Sequence, residues 1–212
     1  SLDAIDQEVH SKITDSKVSV TDILDGISAA IRYELGPVKI NCVVQRGVNE
    51  HQIPKLVRKF RGTGVIVRFI EFMDVGSTNG WTQGQVVPTS EIIDFLSSEF
   101  DLIPLARKSA SDVASRWAHS DDSGEIGFIS SVSQPFCGDC VRARLSSDGK
   151  FFTCLFTTTG HDMSALIKSG GKTEVLTQSI EEVWSARKDR YSEERTSVAI
   201  SLPRVEMSYI GG

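Results

Sequence analysis

Residues 38–73, "VKINCVVQRGVNEHQIPKLVRKFRGTGVIVRFIEFM", read as strand, helix, strand. The two ends are short apolar runs rich in β-branched residues, while the middle sets Ile53, Leu56, Val57 and Phe60 on one stripe before Gly62 and Gly64 stop it. A helix ahead of them, Thr21 to Glu34, carries Ile23, Ile27, Ala30 and Ile31 and stops at Gly36 and Pro37. Helix, strand, helix, strand at this spacing predicts right-handed crossovers between parallel strands, hence an α/β fold, either a doubly wound sheet or a (β/α) barrel. A parallel sheet needs cover on both faces and usually about five or more strands. Only two are evident here, with one more at the amino terminus, so the pattern reads as part of a larger fold.

Working outward, "DVGSTNGWTQGQ" at residues 74–85 is predicted to be a loop at the carboxyl end of its strand, where α/β proteins place their chemistry. Ser90 is expected to cap a helix from Glu91 to Phe100. Near residue 110 the character changes. "VASRWAH" and "IGFISS" read as strands joined by a polar turn, and "VRARLSSDGKFFTCLF" as a hairpin turning on Asp148-Gly149. Thr173 to Ser185 is predicted to be a helix with Val175, Leu176, Ile180 and Val183 on its apolar face, and "RKDRYSEERTS" after it a solvated loop.

With 212 residues, 40% of them hydrophobic, the chain can bury one sizeable core, or one core with a smaller unit attached. A net charge of -5 argues against a nucleic-acid partner but leaves room for a local basic pocket suited to a phosphorylated small molecule. No apolar run approaches the roughly 20 residues that cross a bilayer. The start, "SLDAIDQEVH", lacks the basic-then-apolar order of a signal peptide, so a cytoplasmic protein with no membrane partner is expected. Four cysteines are too few for a disulfide scaffold.

Three of those cysteines follow the pattern Cys137-x2-Cys140-x13-Cys154. Two thiolates two residues apart can bind one ion from a tight turn, which Gly138 would permit, and Cys154 can return to the same point across the hairpin. The set reads as the protein shell of a 4Fe-4S cluster with one open iron, as a closed zinc site completed by His161, or as unliganded thiols. Cys42 reads as a small core residue. Arg142 and Arg144 share one strand face and suit bidentate binding of phosphate or carboxylate. Lys39 and Asn41 share a face of their strand, and Arg68 interrupts the next one, where a charge is costly to bury unless it is paired or meets a ligand. Glu71 points to the opposite face and is a poor partner for Arg68. Met73 reads as core, and Gly211-Gly212 either as a flexible end or as a thin tail able to enter a narrow site.

"KINCVVQRGVNE", "VRFIEFM", "GEIGFISSVSQPFCGDCVRARLSSDGKFFTCLF", "TGHDM" and the terminal "GG" together resemble the carboxyl-terminal portion of the molybdenum cofactor biosynthesis protein A family, the GTP 3',8-cyclases of the radical S-adenosylmethionine (SAM) superfamily. The resemblance implies an incomplete (β/α)6 barrel at residues 1–105, followed by a small α+β iron-sulfur and GTP-binding region at residues 106–212 that ends in the double-glycine tail. It implies a 4Fe-4S cluster on Cys137, Cys140 and Cys154 whose open iron meets the purine of GTP. Lys39, Arg68, Arg142 and Arg144 would line the GTP pocket, Asn41 and Met73 would lie near SAM, and Gly211 and Gly212 would enter the active site. The family's CxxxCxxC, which holds the second 4Fe-4S cluster and cleaves SAM, does not occur in these 212 residues. The chain is therefore expected to be a GTP-binding fragment, inactive alone, with an external electron donor and a possible homodimer in the complete system.

Overall fold

The structure is a computed structural model that describes residues 1–76, 78–170, 172–195 and 205–210. In chain order its elements are α1 (Gln7–Thr14), α2 (Val20–Arg32), β1 (Lys39–Val44), α3 (Ile53–Phe60), β2 (Ile66–Glu71), α4 (Thr89–Ser97), β3 (Leu102–Leu105), β4 (Ser115–His119), β5 (Glu125–Ile129), β6 (Arg144–Leu145), β7 (Lys150–Phe152), β8 (His161–Asp162), α5 (Ser164–Lys168) and α6 (Thr173–Ser185). The fold is mixed α/β, as expected.

Two compact units divide the chain, Ser1–Met73 with Thr82–Pro135, and Asp74–Trp81 with Phe136–Gly212. The boundary expected at 105/106 thus differs from the one observed after Pro135. The reason is hydrogen bonding. β4 and β5 form the expected antiparallel hairpin, but β5 also pairs in parallel with β2, so residues 115–129 complete the first sheet.

That sheet has five strands in the order β1-β2-β5-β4-β3, with β1, β2 and β5 parallel and β4 antiparallel to both of its neighbours, β5 and β3. Side chains alternate across it. Ile40, Cys42, Val44, Val67, Phe69, Ile126 and Phe128 point to one face, where they pack with Ile53, Leu56, Val57 and Phe60 of α3 and with Ile92 and Leu96 of α4. Cys42 is therefore core, 1% exposed. Leu2 N–H donates to the Asn41 carbonyl at 2.9 Å, which lays the first residues alongside β1.

Ser90 does not cap α4. The helix begins at Thr89 with Pro88 in the cap position, and the Thr89 N–H is taken by the buried Glu71 carboxylate at 2.8 Å. Tertiary hydrogen bonding has replaced the local cap.

The second unit holds a three-stranded sheet, β6-β7-β8, all antiparallel. The predicted hairpin turn is present, and Gly149 sits at φ +88, a conformation L side chains rarely adopt. Helix α6 has the predicted span, Thr173–Ser185, but none of its residues is buried, and Val175 is 47% exposed. Among the described residues, no helix is long and apolar enough to cross a membrane.

Candidate functional site

The face of the first sheet opposite the helices carries the charges. Asn41, Arg68, Gly127 and Arg116 are direct cross-strand neighbours in one row over β1, β2, β5 and β4. Arg68 Nε donates to Asn41 Oδ1 at 2.9 Å. Its side chain runs past Gly127, where an added Cβ would stand 3.0 Å from Arg68 Cγ. An added side chain there would press on Arg68 and require it to shift by a few tenths of an ångström, and the backbone angles place no demand for glycine.

Arg116 and Glu125 neutralise each other with paired bonds of 2.7 and 2.6 Å. Arg68 forms no ion pair among the described residues, and burial alone holds its pKa below the ordinary arginine value. A cavity of about 230 Å³ opens here, lined among others by Lys39, Arg68, Lys108, Arg116 and Glu125. Lys39, Ile66 and Glu125 begin their strands, so the cavity opens at the amino ends of the parallel strands. The sequence singled out Lys39, Asn41 and Arg68. It gave no signal for Lys108 or Gly127, whose role depends on cross-strand register.

At the other end of β2, Glu71 is fully buried. It accepts from the backbone N–H groups of Thr89, Val132 and Ser133 and from the Ser133 hydroxyl. Met73 is half-buried just beyond.

In the second unit, Cys137–Asp139 form a single 3-10 turn, and all three clustered cysteines are free and partly buried. Gly138 is not demanded by this turn. Its φ lies outside the left-handed region, and a Cβ would meet Arg190 Nη2 at an ordinary 3.7 Å. Burial pushes the Cys140 thiol up, but hydrogen bonds from Arg142 and the fields of Arg142 and Arg187 outweigh it, leaving the thiol below its ordinary value. Cys154 is raised by burial, with Asp189, Cys137 and Cys140 adding to the effect. Among the described residues, however, no three His, Cys, Asp or Glu side chains are gathered as a metal site. Three free thiols beside arginines suit a thiophilic metal in donor chemistry.

His161 stands exposed on β8 and lines a cavity of about 430 Å³ with Thr153, Glu182, Arg187 and Asp189, among others, none of the lining residues a cysteine. Arg142 stacks over Phe136 at 5.0 Å. Arg144, half-buried on β6, has its pKa lowered by burial and then by Arg142, with no ion pair among the described residues. Gly211 and Gly212 lie outside the described residues.

The expected solvated loop at residues 187–197 is borne out in part over its described residues, 187–195: Lys188, Arg190, Glu193 and Glu194 are exposed, but the rest of the stretch is tied down. Tyr191 stacks on Phe156 at 4.6 Å, and the Arg195–Asp74 pair is buried, the two side chains 7% and 3% exposed. Charge density in the sequence predicted solvent exposure, but Arg187, Asp189, Glu193 and Arg195 meet partners remote in sequence.

Comparison with known proteins adds a family. GTP 3',8-cyclase of Xanthomonas axonopodis pv. citri is 46% identical over all 212 residues, and the chain covers 63% of that relative. GTP 3',8-cyclase of Staphylococcus haemolyticus is 43% identical, with 63% of its length covered. The enzyme of that name from Acidothermus cellulolyticus is 39% identical, with 66% covered. The chain spans less than two thirds of the length of these relatives. The family model described as Molybdenum Cofactor Synthesis C matches residues 65–193, a stretch that takes in Arg68, Arg142, Arg144 and all three clustered cysteines. That match spans more than half of the sequence, and the chain belongs to the Molybdenum Cofactor Synthesis C family.

Proposed function

We propose that this chain is the substrate-binding part of a GTP 3',8-cyclase of molybdenum cofactor biosynthesis, a lyase that converts GTP to 3',8-cyclo-7,8-dihydro-GTP with a SAM-derived radical. The observation that carries the reading is Arg68, a half-buried guanidinium that forms no ion pair among the described residues and faces a cavity lined by Lys39, Lys108 and Asp112 and by the Arg116–Glu125 pair. Such a charge is costly to leave unpaired, and an anionic ligand relieves the cost. The first sheet is read as part of an incomplete (β/α)6 barrel whose lumen-facing row holds the cations.

Cys137, Cys140 and Cys154 would hold a 4Fe-4S cluster, whose open iron would supply a Lewis-acid contact for the purine. Arg142 and Arg144 lie beside those thiols and would bind phosphate or purine oxygens through charge-assisted hydrogen bonds. Asn41 orients the Arg68 guanidinium through the bond to its Nε. Asn41 and Met73 near SAM, and Gly211 and Gly212 at the reacting centre, are parts of the same proposal. SAM and the second cluster would be bound through the family's CxxxCxxC, a motif outside these 212 residues. An external electron donor, a homodimer and a cytoplasmic location complete the reading.

Equilibrium GTP binding tests it. Arg68→Ala should weaken GTP by about 1.5 to 3 kcal/mol, the scale of a charged hydrogen bond. Gly127→Ala should weaken it in the same direction by displacing Arg68 rather than removing it. Wild-type affinity in both variants would exclude the cavity as the triphosphate site.

A further inference from the structure

Three stretches of the carboxyl-terminal unit, remote from one another in sequence, meet on one segment, residues 187–195. Arg187 Nη2 donates to the Cys140 carbonyl at 2.7 Å, and Glu193 Oε1 accepts from the Gly138 N–H at 3.1 Å, so the cysteine turn is gripped on both sides. Asp189 Oδ2 accepts from the hydroxyl of Thr153, the neighbour of Cys154, at 2.5 Å. Tyr191 donates its hydroxyl proton to Asp74 Oδ2 at 2.5 Å, while Arg195 Nη2 pairs with Asp74 Oδ1 at 3.0 Å. The Arg195 guanidinium sits within 6 Å of the Trp81, Phe156 and Tyr191 ring centres, and its pair with Asp74 is almost wholly buried. This end of the segment is therefore fixed, because a desolvated pair is costly to separate.

The cysteine turn has little of its own to fix it. Its internal backbone bond is the one from Cys140 N–H to the Cys137 carbonyl, at 3.2 Å. Thiols carried on a single short turn cannot hold metal-binding geometry without a surrounding layer of hydrogen bonds.

We infer that residues 187–195 form a strap that positions the turn of Cys137 and Cys140 and the strand end of Cys154 together, with Glu193 as its positioning residue at the turn and the Asp74–Arg195 pair as its anchor. The inference rests on the reading of those cysteines as ligands. Glu193 acts through the peptide N–H of the turn, and its other carboxylate oxygen is held by Arg190.

The test uses full-length protein purified anaerobically, in four forms: wild type, Glu193→Ala, Glu193→Gln and Tyr191→Phe. Amide exchange over residues 137–140, thermal stability, iron retained under a chelator, and the electron paramagnetic resonance spectrum of the reduced protein are measured. Glu193→Ala should speed exchange at Gly138 by roughly five- to tenfold, the scale of one net hydrogen bond. It should also weaken iron retention by about tenfold, as loss of a supporting partner does at metal sites. Its melting temperature should hold, and Glu193→Gln, which keeps an acceptor oxygen, should recover most of the iron. Tyr191→Phe touches neither the turn nor a cysteine, yet it should also speed exchange over residues 137–140 if the strap acts as a unit. Unchanged exchange there in both Glu193→Ala and Tyr191→Phe overturns the inference, even where Glu193→Ala alone folds poorly. A wild-type protein that takes up no iron would instead remove the ligand reading, and the exchange data would still judge the strap.

Discussion

If Cys137, Cys140 and Cys154 hold the proposed 4Fe-4S cluster, Cys154→Ser is expected to deplete its iron strongly and, with it, GTP binding at the proposed open iron. Serine would replace the third soft thiolate with a harder oxygen donor that deprotonates far less readily, so the cluster would be held much more weakly. Cys154 is also the proposed ligand whose thiol is raised, chiefly by burial, so iron bound there would displace a proton. Uptake should therefore release protons and weaken as the pH falls. Iron, sulfide and zinc per chain, measured after anaerobic purification, check the prediction. His161→Ala supplies the contrast. It should leave iron untouched, because His161 lines a cavity that no cysteine shares. A colourless protein with one zinc, lost on His161→Ala, would exclude the cluster and favour a zinc-stabilised binding module.

The second large effect concerns stability. Glu71→Ala should cost about 3 to 5 kcal/mol, the scale of breaking a buried charged network. The carboxylate is fully buried and takes the Thr89, Val132 and Ser133 N–H groups at 2.8, 2.7 and 2.7 Å. Alanine would leave those three donors unpaired, the Thr89 N–H in the interior and those of partly buried Val132 and exposed Ser133 nearer water, at about 1 to 3 kcal/mol for each that stays dry. Glu71→Gln keeps one acceptor oxygen but turns an NH2 toward donors, so its loss should be smaller. Denaturant unfolding of the three proteins measures the order. An alanine variant within about 1 kcal/mol of wild type would mean that water reaches these groups.

Much of the fold was legible because strand and helix periods differ. β1, β2, α3 and α6 lie where the apolar pattern put them, and the Asp148-Gly149 turn is set by a glycine at positive φ. The expected helix cap failed for a physical reason. Ser90 is a good local cap, but a buried carboxylate from β2 outcompetes it for the start of α4. The solvated reading of residues 187–195 held only in part, since a run of charges looks wholly solvated until its partners, Asp74, Gly138 and Thr153, are known.

The sequence by itself determined the α/β class, the family, the spacing of the three thiols and the presence of cations in strands that should be apolar. Each of these is written in local order along the chain, in residue type and period. Only the tertiary structure decided that β5 joins β2, which sets Gly127 beside Arg68 and leaves that cation without an ion pair among the described residues. It also decided that residues 187–195 grip the cysteine turn. Register and long-range hydrogen bonding depend on which segments meet, and no local pattern records that.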